Sequence, residues 1–529
     1  MKYLFCVQTI FEMDNPRVYT NYVGIFKKYI TSLVNRLPDT EVTVLMGEAA
    51  FFCDVDIPGA EVVVVTQSEM LNGGEFKGQD VLRSYYRYCH DRGEIPVYMK
   101  YHCELLKSKI KTIPDVIISK DNAPYLKMIF PNALMLYTEV GFISRKPFPQ
   151  TMYYDMIGLN CGSYLNDNWD GIKDEVSLTE YDKHVISTLK NKITCGLKKV
   201  SPYYELMSTL RGTYSSIWLL PLQFSRFSNI DGEIQQDSQL EVILYVLDRL
   251  PEDAGLIVTV HPDYNVLTPN VIWYLKKKYR NFIYDESFYC YSSSSQYLMG
   301  FVDGIINISS SIGLQAMLWD IPCVQIGEYF AGFASRKFGS PNMLSPLSEC
   351  EKNNNSKALY WLFTRYVVLP EYYANPEWLE MYFERIIHEK KYPEIDEPKV
   401  IFDKLINSIS FEGLPATINI GKAERYYNLY TKASSTYFRG TSFSTKLENR
   451  EVLIYGKSSL AYLLELEIKN NGKLLKNYKG IIDSSTYMDY SFTGNELMVV
   501  TPVLDYGSIV TALRKCFCGE IISIEDLLQ

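Results

Sequence analysis

The stretch from residue 303 to residue 327, DGIINISSSIGLQAMLWDIPCVQIG, constrains the fold more than any other part of the chain. Two apolar runs, at 304–308 and 323–326, enclose a serine-rich turn and a helical pattern at 314–318. The order strand, turn, helix, strand is typical of a parallel α/β sheet. Unpaired backbone N–H groups and the positive end of the helix dipole make such a turn a ready phosphate site. Serine also caps helices without any ligand, so both interpretations stay open for Ser309, Ser310, Ser311 and Gly313.

Length and charge set the broad class of the protein. The chain has 529 residues, which is enough for two to four domains, and 47% of them are hydrophobic, as in globular proteins with large cores. The formal net charge is −9. Because nucleic-acid-binding proteins present basic faces, this charge argues against nucleic acid as a partner.

The cysteine pattern indicates a protein of a reducing compartment. The eleven cysteines are scattered without a CxxC pair, and there are only five histidines. This pattern predicts neither a zinc site nor a disulfide framework. The N-terminal run reads as a first strand rather than a signal peptide, and no stretch approaches about 18 uninterrupted apolar residues. We therefore expect a cytoplasmic protein.

Strand and helix patterns alternate along most of the chain, which predicts parallel sheets covered by helices on both faces. We expect two tandem Rossmann-like domains of the α/β class, at 1–205 and 206–410. Residues 411–448 have little periodicity and read as a linker. A small Rossmann-like accessory module is expected at 449–529.

This last module has the layout of a mononucleotide-binding half without its glycine fingerprint. Only Gly456 is present, and Ser458 and Ser459 stand where further glycines would be. Close approach to a pyrophosphate is therefore doubtful. A ligand site and a structural or interaction module both remain open.

A second candidate anion-binding feature follows the strand pattern at 255–260. His261 precedes Pro262, which favours an extended backbone and projects the histidine beyond the carboxyl edge of the sheet. The serine turn should meet it at that edge, although a loop histidine without a ligand is the alternative. Other strands at this edge are followed by Gln223, Arg226 and Glu328. These residues would contact the base, the sugar or the charged group of a nucleotide ligand, or else be ordinary surface residues.

Taken together, these motifs resemble the capsule polysaccharide biosynthesis family, which includes Kdo (3-deoxy-manno-octulosonate) transferases that use CMP-Kdo. The resemblance rests on LPLQ at 220–223, on the strand ending in His261 and Pro262, and on residues 302–330. Gln315, Asp320 and Cys323 stand where the family more commonly has Glu, Gly and Val. The resemblance implies a GT-B architecture with two Rossmann-like domains, in which the donor nucleotide binds to the second domain.

The first half of the chain resembles the same family over a shorter segment. Residues 138–142, TEVGF, and 158–160, GLN, are similar to its E-x-G-Y and G-x-N motifs, while residues 151–155 stand in place of T-x-E. Arg145 and Pro147 lie near its RP position. The resemblance implies transfer of Kdo or a related acidic sugar from a CMP-activated donor to a glycan or glycolipid acceptor.

For such a reaction we expect a carboxylate as base or nucleophile, and donors around the departing phosphate. Glu139 is the first candidate, Asp155 the second and Asp121 the third, although each could instead cap a helix or form an ion pair. Arg145 and Arg226 would bind the sugar carboxylate. His261 and the serine turn would bind the phosphate. No DxD motif follows a strand except Asp54 to Asp56 near the N-terminus, so we expect no metal and no cofactor.

Other readings of the same architecture remain open. They are a sialyltransferase-like enzyme, a CDP-glycerol glycerophosphotransferase, and a catalytically silent glycan-binding or assembly protein. We expect no nucleic-acid partner. Peripheral contact with the inner face of the cell membrane, and with other polysaccharide-assembly enzymes, is a further expectation.

Overall fold

The structure is a computed structural model of the chain. It describes residues 1–7, 17–37, 39–48, 57–66, 68–69, 97–120, 122–159, 162–223, 234–261, 266–327, 330–418, 425–426, 428–430, 432–433 and 445–528. Two compact units divide the chain. The first comprises Met1–Cys6, Ser32–Val42 and Gly73–Ile420, and the second comprises Val7–Thr31, Thr43–Asn72 and Gly421–Gln529. The domain boundaries expected from the sequence stay a prediction.

Short apolar runs form the strands, as the sequence predicts. In chain order they are β1 Lys2–Cys6, β2 Glu41–Gly47, β3 Glu61–Val65, β4 Val116–Ser119, β5 Leu134–Val140, β6 Met152–Asp155, β7 Ser216–Pro221, β8 Ala254–Thr259, β9 Phe282–Ile283, β10 Gly304–Asn307, β11 Cys323–Gln325, β12 Arg336–Lys337, β13 Val367–Val368, β14 Val452–Tyr455, β15 Tyr478–Ile482, β16 Leu497–Val500 and β17 Glu520–Ser523.

Helices connect most of these strands. They are α1 Arg17–Arg36, α2 Val97–Lys109, α3 Pro124–Ile129, α4 Tyr164–Glu175, α5 Glu180–Val200, α6 Tyr204–Arg211, α7 Gln239–Leu247, α8 Pro269–Lys278, α9 Ser294–Leu298, α10 Ile312–Trp319, α11 Glu349–Trp361, α12 Pro370–Tyr373, α13 Pro376–Glu389, α14 Pro398–Ser408, α15 Ser459–Asn470, α16 Gly472–Leu475, α17 Tyr506–Leu513 and α18 Ile524–Leu528. Among the described residues, no helix combines the length and the apolar character needed to cross a membrane.

The first sheet of the first unit places its strands in the order β13-β6-β5-β4-β1. The pairs β1–β4 and β4–β5 are parallel. The pairs β5–β6 and β6–β13 are antiparallel. The sequence pattern over 357–368 predicts a helix, which is wrong at its end, because Leu362–Tyr366 is a π-helical turn and Val367–Val368 is a strand that completes this edge. A distant strand partner overrides the local helical pattern here.

The second sheet of the first unit is parallel throughout, with the order β12-β11-β10-β7-β8-β9. Its central strands are buried on both faces, and Trp218 of β7 has no exposed surface. A β-carbon at Gly304 would lie 2.4 Å from the Trp218 ring, so only glycine fits opposite that indole. The two sheets confirm a mixed α/β fold with parallel strands.

The helix that follows the serine turn ends at an unusual residue. Asp320 adopts a left-handed backbone with φ of 50°, a conformation that favours glycine. Its carboxylate lies 2.7 Å from Lys190 Nζ on α5. The resembled family more commonly has glycine here, and the left-handed backbone gives the physical reason for that preference.

The second unit contains a parallel pair, β2 and β3, and a parallel sheet with the order β15-β14-β16-β17. The sequence predicts strands at 452–455, 480–482, 497–501 and 520–523, and the structure has a strand at each of them. A β-carbon at Gly456 would lie 2.5 Å from Pro502 Cγ, and Gly456 has φ of +101°. Both observations explain this glycine by packing and backbone conformation, without a bound phosphate.

Candidate functional site

The carboxyl edge of the second sheet gathers the polar residues expected to hold a donor. Strand β7 lies between β10 and β8, and all three are parallel. The serine turn therefore follows β10, Gln223 follows β7, and His261 follows β8, in adjacent positions along one edge. The turn and the histidine therefore lie at the same edge of the sheet, with β7 between the strands that they follow.

Buried amides hold the serine turn in place. Asn307 Oδ1 accepts a hydrogen bond from the Ser310 backbone N–H at 3.1 Å, and Asn307 Nδ2 donates to Gln325 Oε1 at 3.1 Å. Gln325 Nε2 in turn donates to the carbonyl oxygens of Ile308 and Ile326. Asn307, at the end of β10, thereby connects the turn to β11. Sequence reasoning missed Asn307 and Gln325 because their role depends on a neighbouring strand.

Glycine is required at position 313 by this network. A β-carbon there would lie 2.5 Å from Asn307 Nδ2 and 3.2 Å from Cys323 Sγ. Gly313 therefore lets the first turn of α10 pack directly against the amide that holds the serine turn.

One hydroxyl of the turn has no partner. Ser309 is 3% exposed, and its Oγ forms no hydrogen bond in the structure. Buried hydroxyls are normally satisfied, so an orphaned one indicates a missing ligand or water. Ser311 takes the N-cap position of α10 without a side-chain capping bond. The simple capping interpretation is therefore not supported at Ser311, and the turn fits an anion.

The first sheet presents an acidic residue at its own carboxyl edge. Glu139 lies near the end of β5, and its side chain is 34% exposed. Its Oε1 accepts a hydrogen bond from Lys120 Nζ at 3.0 Å and another from the Val140 backbone N–H at 2.8 Å. Lys120 directly follows β4, and its side chain is fully buried. The sequence shows this lysine after the apolar run 115–119, but nothing in it indicates burial.

Asp155, the second carboxylate candidate, is completely buried. Its oxygens accept hydrogen bonds from the backbone N–H groups of Ile157, Gly158 and Tyr164, and from Tyr366 Oη at 2.7 Å. Desolvation raises the pKa of Asp155 from 3.8 to about 6, although these four donors oppose the rise. The carboxylate ties β6 to the start of α4. These contacts give Asp155 a structural role, and its catalytic role stays a prediction.

The loop after Glu139 is tightly packed. A β-carbon at Gly141 would lie 2.1 Å from Thr151 Oγ1, and Ser144 Oγ lies 2.7 Å from the same hydroxyl. These contacts explain the glycine in the TEVGF segment by close approach of Thr151. Arg145 is exposed in this loop, where it is accessible to a ligand.

A side chain of α10, the helix that follows the serine turn, contacts this loop. Gln315 Nε2 on α10 donates to the carbonyl oxygen of Phe142 at 2.8 Å, and the contact is buried. Tyr153 of β6 also stacks on Phe330, with ring centroids 5.5 Å apart. Within the first unit, the helix that begins at the serine turn therefore packs against the segment that carries Glu139.

Four predicted site residues, Asp121, Arg226, Pro262 and Glu328, lie outside the described residues. In the part of the chain that is described, no three His, Cys, Asp or Glu side chains are grouped so that they could hold a metal ion.

Comparison with known proteins identifies this region. The family model of the capsule polysaccharide biosynthesis proteins matches residues 139–334, which contain both Glu139 and the serine turn. This part of the chain is similar to that family, as the resemblance of its motifs predicts. No curated protein matches the sequence.

Several solved structures are similar to the chain. One is the β-Kdo 2,7 transferase KpsC of Thermosulfurimonas dismutans, with 13% identity and a TM-score of 0.38 over 77% of this chain and 99% of that one. Another is the β-Kdo 2,4 transferase KpsC of the same organism, with 16% identity and a TM-score of 0.34 over 55% and 87%. The UDP-bound MnaA of S. aureus has 12% identity and a TM-score of 0.26 over 74% and 99%.

Proposed function

We propose that this protein is a glycosyltransferase of capsule polysaccharide synthesis that moves Kdo or a related acidic sugar from a CMP-activated donor. The observation that carries the proposal is the buried, unpartnered Ser309 Oγ in a turn at a helix N-terminus. Gln223 and His261 follow the two adjacent parallel strands. The family match over 139–334 supports a role in capsule synthesis.

The proposed chemistry breaks the bond between the anomeric carbon and the phosphate of the donor. The Ser309–Ser311 turn and His261 would stabilise the departing phosphate by hydrogen bonds and positive charge. We expect no metal and no cofactor for this step. The donor would lie on the second of two Rossmann-like sheets in a GT-B arrangement, with the acceptor glycan or glycolipid on the side of the first.

Glu139 is our candidate for the carboxylate of the reaction. It lies at a carboxyl edge and keeps a third of its side chain exposed, while Asp155 is sequestered. Arg145, exposed six residues further on, would bind the carboxylate of the acidic sugar. Asp121 and Arg226 remain candidates from the sequence alone.

The first experiment is thermal unfolding with CMP, CDP, UDP and GDP in turn. At 100 times its dissociation constant, a ligand adds about 2.7 kcal/mol to the stability of the native state. We expect CMP to stabilise the wild type and to lose most of this effect in Ser309→Ala and His261→Ala. His184→Ala, on the exposed face of α5, is the matched control.

Other outcomes would change the assignment. A preference for CDP would favour the glycerophosphotransferase, and a response to UDP or GDP would favour a hexosyltransferase. Stabilisation by none of the four would favour a silent glycan-binding protein. If CMP stabilises the protein, transfer from CMP-Kdo and CMP-sialic acid distinguishes the two sugars. Glu139→Gln should reduce turnover to a trace and leave CMP binding intact, whereas full activity would remove Glu139 from the mechanism.

A further inference from the structure

Lys120 is an unusual residue for its position. Its side chain is fully buried, whereas lysine is almost never fully buried unless it is paired. Its backbone N–H donates to the Cys6 carbonyl at 3.1 Å, which fixes it at the end of β4 beside β1. The backbone of Lys120 is therefore fixed at the end of a strand, and its ammonium group is held more rigidly than that of a surface lysine.

The ammonium group contacts the proposed reactive carboxylate. Lys120 Nζ lies 3.0 Å from Glu139 Oε1, and the Val140 backbone N–H donates to that same oxygen at 2.8 Å. Two donors on one oxygen restrict both the side-chain torsions and the rotation of the carboxylate plane. The Glu139 side chain is 34% exposed, and the buried Lys120 ammonium group holds one of its carboxylate oxygens.

We infer that Lys120 is a positioning residue for Glu139, which it holds in one orientation at the edge where glycosyl transfer is proposed. The inference rests on the proposed function. Lys120 is buried and does not contact substrate itself. Orientation of a reacting group contributes strongly to rate, and a misplacement of about 1 Å can cost roughly 100-fold.

The alternative is an ion pair that only stabilises the fold, and stability separates the two roles. Removing one partner of a buried ion pair usually destabilises the fold, because the other charge is left uncompensated. Here the remaining partner, Glu139, is 34% exposed, so water can solvate its carboxylate in Lys120→Met. Methionine matches the lysine stem closely. A positioning role therefore predicts that Lys120→Met loses far more activity than its loss of stability explains.

The test measures CMP release from CMP-Kdo and from CMP-sialic acid, together with thermal unfolding. We expect Lys120→Met to lower kcat by about 10–100-fold at a temperature at which the variant is fully folded, with the KM for the donor changed less than about threefold. Lys120→Gln keeps an N–H donor without the charge and should recover part of kcat. Lys127→Met, at an exposed lysine on α3, is the matched control and should leave kcat unchanged.

A second arm examines whether the two residues act as one unit. In the Glu139→Gln background, Lys120→Met should reduce the residual activity by less than about twofold, because the oriented group is already gone. A further large loss there would overturn the positioning role, and so would a fall in kcat that merely follows a lower unfolding temperature.

The outcomes also separate this inference from the proposed function. If Lys120→Met and Lys120→Gln both keep wild-type activity, the positioning role is overturned, but the proposed transferase function is not affected. If the wild type neither binds CMP nor releases it from either donor, the proposed function fails and the inference falls with it.

Discussion

Asn307 and Gly313 form the contact on which the geometry of the serine turn depends. The Asn307 amide holds the Ser310 N–H, and the missing β-carbon of Gly313 makes room for that amide. The Asn307 amide therefore requires a glycine at position 313, and this glycine leaves the space that the amide needs. Neither needs to contact the ligand for its replacement to affect binding.

Gly313→Ala should therefore destabilise the protein and weaken CMP binding. The new methyl group would force the Asn307 amide to move, and overpacking of this kind costs about 1–3 kcal/mol. Urea unfolding and CMP titration measure the two effects. Gly171→Ala on α4 is the control, because its β-carbon would meet nothing within 4 Å. It should be neutral or stabilise by about 0.5–1 kcal/mol. Equal stability of both variants would contradict this explanation.

Asp155 makes the stability of the protein depend on pH. Burial raises its pKa to about 6 from 3.8, so the folded state keeps a proton that the unfolded state loses between these values. The contribution of Asp155 to the free energy of unfolding is full below pH 4 and is lost as the pH rises toward 6. Compared with the unfolded chain, the fold therefore shifts the equilibrium of Asp155 toward the neutral acid.

The comparison of wild type with Asp155→Asn tests this sign. The unfolding free energy of the wild type minus that of the variant should fall by roughly 2.4 kcal/mol from pH 4 to pH 7. Urea unfolding at several pH values measures the difference. Asp170→Asn, with a 91% exposed side chain, is the control and should show a much smaller change. A difference independent of pH would refute the buried-acid account.

At the scale of elements, α10 is joined to the Glu139 loop by a bond that needs a donor on the side chain of residue 315. Gln315 donates to the Phe142 carbonyl, and a carboxylate in its place would oppose two acceptors. Gln315→Glu should cost about 1–3 kcal/mol at pH 7. Part of this loss should return near pH 4, where the carboxyl group can donate its proton. Urea unfolding at both pH values, relative to wild type, provides the measurement. A cost that is the same at both would show that the bond does not matter.

The sequence predicts those elements that carry their own pattern. The parallel strands are short apolar runs, and residues that follow them must share an edge, so the meeting of His261 with the serine turn could be predicted. Strand β6 reads MYYD and β13 is only Val367–Val368. Neither shows a strand pattern by itself, because their pairing depends on segments far apart in the chain. The same limit hides Lys120, whose burial depends on its neighbours.

At the scale of the whole molecule, the cysteines fall into two groups that chemistry can distinguish. Among the described residues, Cys6, Cys103 and Cys323 are buried and free, while Cys195, Cys290, Cys350, Cys516 and Cys518 are exposed and free. Desolvation raises the pKa of Cys323 to about 12, which suppresses its reactive thiolate.

A brief pulse of N-ethylmaleimide at pH 7.5 should therefore label the exposed group and leave the buried group unmodified. Mass spectrometry of the digested protein identifies the labelled positions. In urea above the unfolding midpoint, all of these thiols should react. Rapid labelling of Cys323 in the native protein would contradict its burial at the start of β11, against Gly313 of α10.

The pairing of β6 with β13 also has a consequence for synthesis on the ribosome. Residues 152 and 153 pair with residues 368 and 367, so the edge of the first sheet stays open while the whole second sheet is translated. At 5–20 residues per second that interval lasts roughly 10–40 s. During it, the nascent chain exposes strand backbone that other chains can pair with. Yield of soluble protein should therefore depend on translation speed and on chaperones that shield this edge.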